Sequence, residues 1–168
     1  MYNNLKQLII WPDTETLRQN LPSVFRSNFG RTKCIIDCFE IFIERPLLFT
    51  ARAATYSNYK KHNTVTVFIG IAPTGAIVFI SSAWGGRVSD KVITQQCGFL
   101  DLIDPGDVIL ADRGFNVHDD IAIRGGRLEI PAFTKGKKQL SREEIEQSRQ
   151  LSPIRIHVER IIGQLRNI

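Results

Sequence analysis

The sequence predicts a mixed α/β fold in which three antiparallel strands are followed by alternating helices and strands, with helices flanking the mixed sheet. Three observations carry this. Residues 33–81 hold three apolar runs of strand length, two of them joined by a proline and glycine turn. Residues 90–133 then alternate helix-spaced and strand-like segments, and residues 152–168 carry an apolar stripe at helical spacing. Helices layered on a sheet are how such elements bury their apolar faces.

The first thirty residues read as amphipathic helical pieces broken at Pro12 and Pro22, with Leu5, Leu8, Ile9, Leu17, Leu21, Val24 and Phe25 available to pack. Residues 1–32 are therefore expected to be an N-terminal helical flank, and residues 33–168 the main domain. "CIIDCFEIFIE", bounded by Pro46, reads as the first strand. Strand alternation puts Ile35, Asp37, Phe39 and Ile41 on one face and Cys34, Ile36 and Cys38 on the other. A basic connection leads to "VTVFIGIAPTGAIVFISS", a hairpin turning at Pro73, Thr74 and Gly75. After the break "WGGRVSD", "KVITQQCGFLDLI" has the spacing of a short helix that Ser89 or Asp90 can cap. "DVILA" is a strand ending at Asp112, "NVHDDIAIRGG" a short helix or turn, and "LEIPAF" another strand. "TKGKKQLSREEIEQSRQ" is a basic loop entering a helix with a capping box at Ser141 and Glu144. The last helix opens at Ser152 and Pro153. Ile154, Val158, Ile161, Ile162 and Leu165 form its stripe, and Glu159 borders it.

The chain has 168 residues, 43% hydrophobic and 23% charged, which suits one globular domain with a real core. No apolar run approaches the roughly 20 residues that span a bilayer, and the N-terminus shows no signal-peptide pattern. A soluble intracellular protein without membrane association is expected. Cys34, Cys38 and Cys97 form no CxxC pair, so they are read as reduced thiols, mostly buried. The net charge of +5 favours anionic partners such as nucleic acid.

Three carboxylates stand in unusual settings: Asp37 inside an apolar strand, Asp112 at a strand end and Glu159 beside a helix stripe. Ordinary readings exist for each. Asp112 can bond the backbone of a turn, Asp37 can bond a backbone group or pair with Arg113, and Glu159 can pair with Arg155. Together, however, they are what a two-metal phosphodiesterase requires, because hard divalent cations prefer carboxylate oxygens and two ions clamp an in-line displacement.

The stretches "IIDCFEIFIERP", "TYSNYKKHNT", "IGIAPTGAIVFIS", "WGGRVSDKVIT", "GDVILADRGF", "LEIPAF", "LSREEIE" and "RIHVERIIGQLRN" occur in order from Ile35 onward. In these the chain resembles the DDE superfamily transposase domain of the Harbinger-type class, particularly its metazoan branch often fused to THAP zinc fingers. The resemblance implies an RNase H-like fold and a metal-dependent DNA endonuclease or strand-transfer centre. It makes Asp37, Asp112 and Glu159 the catalytic and metal-holding acids and adds Asp90 as a further candidate ligand, although a helix cap explains Asp90 equally well. Magnesium or manganese, two ions, would be the cofactor, DNA the substrate and the nucleus the location. The chain carries no recognition module and stops soon after Glu159. A domain truncated at its C-terminus is therefore expected, with a separate DNA-targeting protein or domain as possible partner. The alternative is a domesticated, inactive DNA- or protein-binding domain.

Basic residues complete the expectation. Tyr56, Tyr59, Lys60, Lys61 and His62 combine aromatics with cations, and Lys135, Lys137, Lys138 and Arg142 gather in one loop. Both groups suit contacts to the phosphate backbone, which position DNA without reading its sequence. His62, His118 and His157 are left outside the site.

Overall fold

The structure is a computed structural model that describes residues 8–26, 29–112, 114–130, 156 and 159–164. Helices α1 (Thr14–Gln19) and α2 (Ser23–Arg26) follow Pro12 and Pro22. Asp13 caps α1, its carboxylate accepting from the Thr16 N–H at 2.9 Å. Strand β1 (Thr32–Phe42), helix α3 (Phe49–Thr55) and strands β2 (Tyr56–Ser57), β3 (His62–Ile71), β4 (Ile77–Ile80) and β5 (Trp84–Gly85) come next. They are followed by helix α4 (Asp90–Gln96), a 3₁₀ turn (Phe99–Leu102), strand β6 (Val108–Ala111), helix α5 (His118–Ile123) and strand β7 (Arg127–Glu129). Residues 159–164 are helical.

These strands form one mixed sheet in the order β2-β3-β1-β6-β7, with β4 and β5 also pairing with β3. β1 is antiparallel to β3 and parallel to β6, and β7 is parallel to β6. The expected hairpin between β3 and β4 is present: the Gly75 N–H donates to the Ala72 carbonyl at 2.8 Å, and Gly75 adopts φ 95°, which a side chain would strain. All four residues of β6 are buried, as expected of a strand paired in parallel and covered on both faces.

Alternation along β1 divides the core in two. Cys34 and Ile36 join Phe68, Ile93, Phe99, Ile109 and Ile121 on the face covered by α4 and α5. Ile35 and Phe39 join Phe25, Ile69, Leu110 and Ile162 on the other, covered by α2 and the helical residues 159–164. The N-terminal flank is part of this packing, since Leu17, Leu21, Phe25 and Phe29 are all buried. Lys33, buried in β1, ties the flank down by donating to Thr14 Oγ1 at 3.1 Å beneath the Trp11 ring.

Strands β2 and β5 have no apolar run of their own, and the sequence did not predict them. They exist because β3 extends past its other partners and offers an edge. Gly85 and Gly86 make that approach possible. A Cβ on Gly85 would run into the Ala54 carbonyl, and one on Gly86 into Thr64 Oγ1 and within 2.9 Å of the Thr64 carbonyl. Gly86→Ala is therefore expected to destabilise the fold by roughly 2 kcal/mol or more, lowering the thermal midpoint by about 5 °C or more. An unchanged midpoint would mean that the segment at Gly86 is free to move off β3.

Among the described residues no helix is long and apolar enough to cross a membrane. The predicted capping box at Ser141 and Glu144, the helix start at Ser152 and Pro153 and the end of the "LEIPAF" strand lie outside the described residues.

Candidate active site

Asp37 lies at the middle of β1, half-buried, and Asp112 follows β6 directly, also half-buried. The parallel register pairs Ile35 with Leu110 and Ile36 with Ala111, so the next level of the two strands is Asp37 beside Asp112. Adjacent strands run about 4.8 Å apart. Ile35 and Leu110 belong to the same core cluster, and alternation carries Asp37 and Asp112 to that same face.

The backbone explains why the chain places a carboxylate at Asp37. Phe68, opposite Cys38, turns both its polar groups away from β1: its N–H donates to Ser81 Oγ at 3.0 Å and its carbonyl accepts the Ser81 N–H at 2.9 Å. The Cys38 N–H therefore faces the β6 side of β1. There β6 has ended, and the Asp112 carbonyl accepts from the Phe115 N–H at 3.2 Å as the chain turns away. Asp37 Oδ1 accepts the Cys38 N–H instead, at 2.7 Å. Its carboxylate is thereby drawn into the gap where Asp112 emerges.

Glu159 begins the helical residues 159–164 and is exposed. Ile162, three residues on, is buried with Ile35, Phe39 and Leu110, so this helix covers the face that carries both aspartates. Residues three apart share a side of a helix, which puts Glu159 about 4.5 Å along the axis from Ile162 on the same side. Among the described residues no three His, Cys, Asp or Glu side chains are gathered closely enough to hold a metal ion. The structure thus aligns the two aspartates and carries Glu159 on the covering helix without closing it onto them.

Asp90 occupies the opposite layer. Ser89, not Asp90, caps α4, accepting the Val92 N–H at 3.4 Å. The Asp90 carboxyl accepts a hydrogen bond from the Cys38 thiol, and a Cβ on Gly114 would meet its Oδ2 at 3.4 Å. Asp90 therefore packs between the residue after Asp37 and the turn after Asp112. Burial raises its pKa above the ordinary carboxylate value, the Cys38 bond opposes this, and the nearby Glu40 charge adds to it. Burial, and then Asp90, push the Cys38 thiol far up.

A raised carboxyl binds its proton more tightly folded than unfolded. Ionising Asp90 thus lowers stability, fully above the folded value and not at all well below the ordinary one. Asp90→Asn removes this dependence. Thermal midpoints from about pH 3 to about pH 7 are expected to show the variant gaining on the wild type as pH rises. A constant or reversed difference would contradict the buried setting of Asp90.

Lys60 and Lys61 sit in the exposed turn after β2, with Lys60 Nζ 4.8 Å from the Tyr59 ring centre. Lys135, Lys137, Lys138, Arg142, Arg113 and His157 lie outside the described residues. His62 packs edge-on against Phe42, and His118 opens α5. Sequence reasoning missed Phe49, Arg52 and Arg87, which line a surface cavity of about 410 Å³ with Tyr56 and Asn58. The available signal was the aromatic residue at the start of α3, three residues before an arginine.

The profile of the family described as DDE superfamily endonuclease matches residues 36–168. No curated protein and no solved structure matches the chain.

Proposed function

The chain belongs to the DDE superfamily endonucleases, and from that premise we propose that it is a catalytic domain that cuts or transfers phosphodiester bonds in DNA with divalent metal. The observation that carries this is the parallel register of β1 and β6, whose continuation past Ile36 and Ala111 brings Asp37 level with Asp112. The strand order, three antiparallel members and then two parallel ones, supports an RNase H-like fold, and the matching stretches support the Harbinger-type class. DNA is the substrate that such a family implies, and the nucleus is where this class would act.

Two hard carboxylates on neighbouring strands, one in the middle of β1 and one at the end of β6, suit magnesium or manganese, with Asp37 and Asp112 as holders and Glu159 completing the set from the covering helix. When bound, such ions lower the pKa of the attacking hydroxyl and stabilise the leaving oxygen. The rigid strands fix the aspartates so that little reorganisation is needed. Asp90 lies on the other layer and fits a supporting role: it holds Cys38 and the turn after Asp112, and so the spacing of the two acids. Lys60 and Lys61, and Lys135, Lys137, Lys138 and Arg142, serve the phosphate backbone.

The test is a titration of manganese against the thermal midpoint, paired with nicking of supercoiled plasmid. Binding to the folded state raises the midpoint by mass action, and the rise is expected to disappear, with nicking, in Asp37→Asn. Nicking that persists in that variant would overturn the assignment. DNA binding without nicking under any divalent metal would favour a domesticated binding domain.

A further inference from the structure

Beyond the acids, β1 runs five residues further to Phe42 and ends among side chains that the cleavage centre does not use. Phe49 is 80% exposed and Tyr59 82%. Each has a cation over its ring: the Arg52 guanidinium lies 5.0 Å from the Phe49 centre, and Lys60 Nζ 4.8 Å from that of Tyr59. The first pair lines the cavity of about 410 Å³, walled by Phe49, Arg52, Tyr56, Asn58 and Arg87. Among the described residues no carboxylate lines it and no ion pair engages Arg52 or Arg87.

We propose that this cleft binds single-stranded DNA, with a base stacked on Phe49 and Tyr56 and the flanking phosphates held by Arg52 and Arg87. An apolar peptide would need the aromatics without the cations, and an acidic peptide the cations without the aromatics. A single strand uses both at once, because every base has a stacking face and every nucleotide a negative charge. Duplex DNA hides its base faces and would use only the charges. Arg52 is also preorganised, its Nε donating to the Pro46 carbonyl at 3.2 Å, which leaves the rest of the guanidinium for a ligand.

The cleft lies beyond the end of β1 that carries Asp37, roughly 16 Å along the strand from it to Phe42. A strand unpaired next to the cut would therefore lie within its reach. That placement rests on the endonuclease reading; the binding itself does not.

The experiment is fluorescence anisotropy of a labelled oligothymidylate in EDTA, which prevents cleavage, with unlabelled duplex of equal length as competitor. Wild type is expected to bind the oligothymidylate, and Phe49→Ala to weaken it about tenfold while duplex affinity stays within about twofold. Phe49→Trp restores binding, which separates stacking from any change in fold. Equal binding by wild type and Phe49→Ala, or an equal loss for duplex and single strand, overturns the proposal. So does displacement of the oligothymidylate by a polyglutamate peptide at Phe49-dependent affinity, since the cleft would then belong to an acidic protein. Wild type that binds the oligothymidylate in this manner yet never nicks plasmid with manganese would refute the endonuclease reading and leave the cleft standing.

Discussion

Asp112→Asn is expected to lower metal-dependent DNA cleavage by roughly 100-fold to 1,000-fold and to change the metal-free thermal midpoint by less than about 4 °C. On the proposed reading Asp112 helps hold the ions, and such a ligand contributes several kcal/mol to the transition state, each 1.4 kcal/mol being tenfold. The stability of the variant follows from position. Asp112 stands one residue past β6, whose hold on the sheet comes from the buried Ile109, Leu110 and Ala111. Asparagine has the same shape and cannot substitute as an anionic ligand. Single-turnover nicking, read beside a circular dichroism melt, checks both parts. The double variant Asp37→Asn with Asp112→Asn is expected to be no worse than either single one, because groups that act as a unit are not additive. Wild-type nicking in Asp112→Asn would remove it from the centre.

The largest structural effect is expected at Phe68. Its side chain is fully buried, and its ring lies 5.0 Å from Phe99, 5.7 Å from Phe79 and 6.2 Å from Phe115. Phe68→Ala opens a cavity among these rings and is expected to cost roughly 3–5 kcal/mol, about 10 °C in thermal midpoint. The damage should also reach the proposed active site. Phe115 seats the turn that leaves Asp112, and its N–H holds the Asp112 carbonyl. Nicking at a temperature where the variant remains folded is therefore expected to fall as well. Full activity at that temperature would show that the turn is fixed by other contacts.

The regular elements were legible in the sequence because each carries its own pattern. The alternation of "CIIDCFEIF" correctly divided β1 between two core faces, and Pro73 with Gly75 marked the hairpin. A cap at Ser89 or Asp90 was legible before an apolar-spaced segment, and Ser89 is the one that caps α4. What was not legible is what depends on partners distant in the chain. β2 and β5 are only two residues each and take their conformation from the edge of β3. Asp90 looked like either a cap or a metal ligand; its contact with Cys38 arises only once α4 packs across β1. The approach of Asp37 to the level of Asp112 depends on the parallel register of two strands far apart in sequence, which residue types alone do not determine.

The central position of β1 has a consequence for the order of assembly. On one side β1 joins β3, which pairs in turn with β4 through a short turn; on the other it joins β6, which must arrive from far along the chain. Local pairings form before distant ones, because closing a long loop costs entropy that is recovered only afterwards. The antiparallel half is thus expected to fold first, presenting one aspartate, and the second is delivered when β6 docks. On the proposed reading, a newly made chain would gain its capacity to cut only at the last step, and a half-folded molecule would be harmless to the DNA around it.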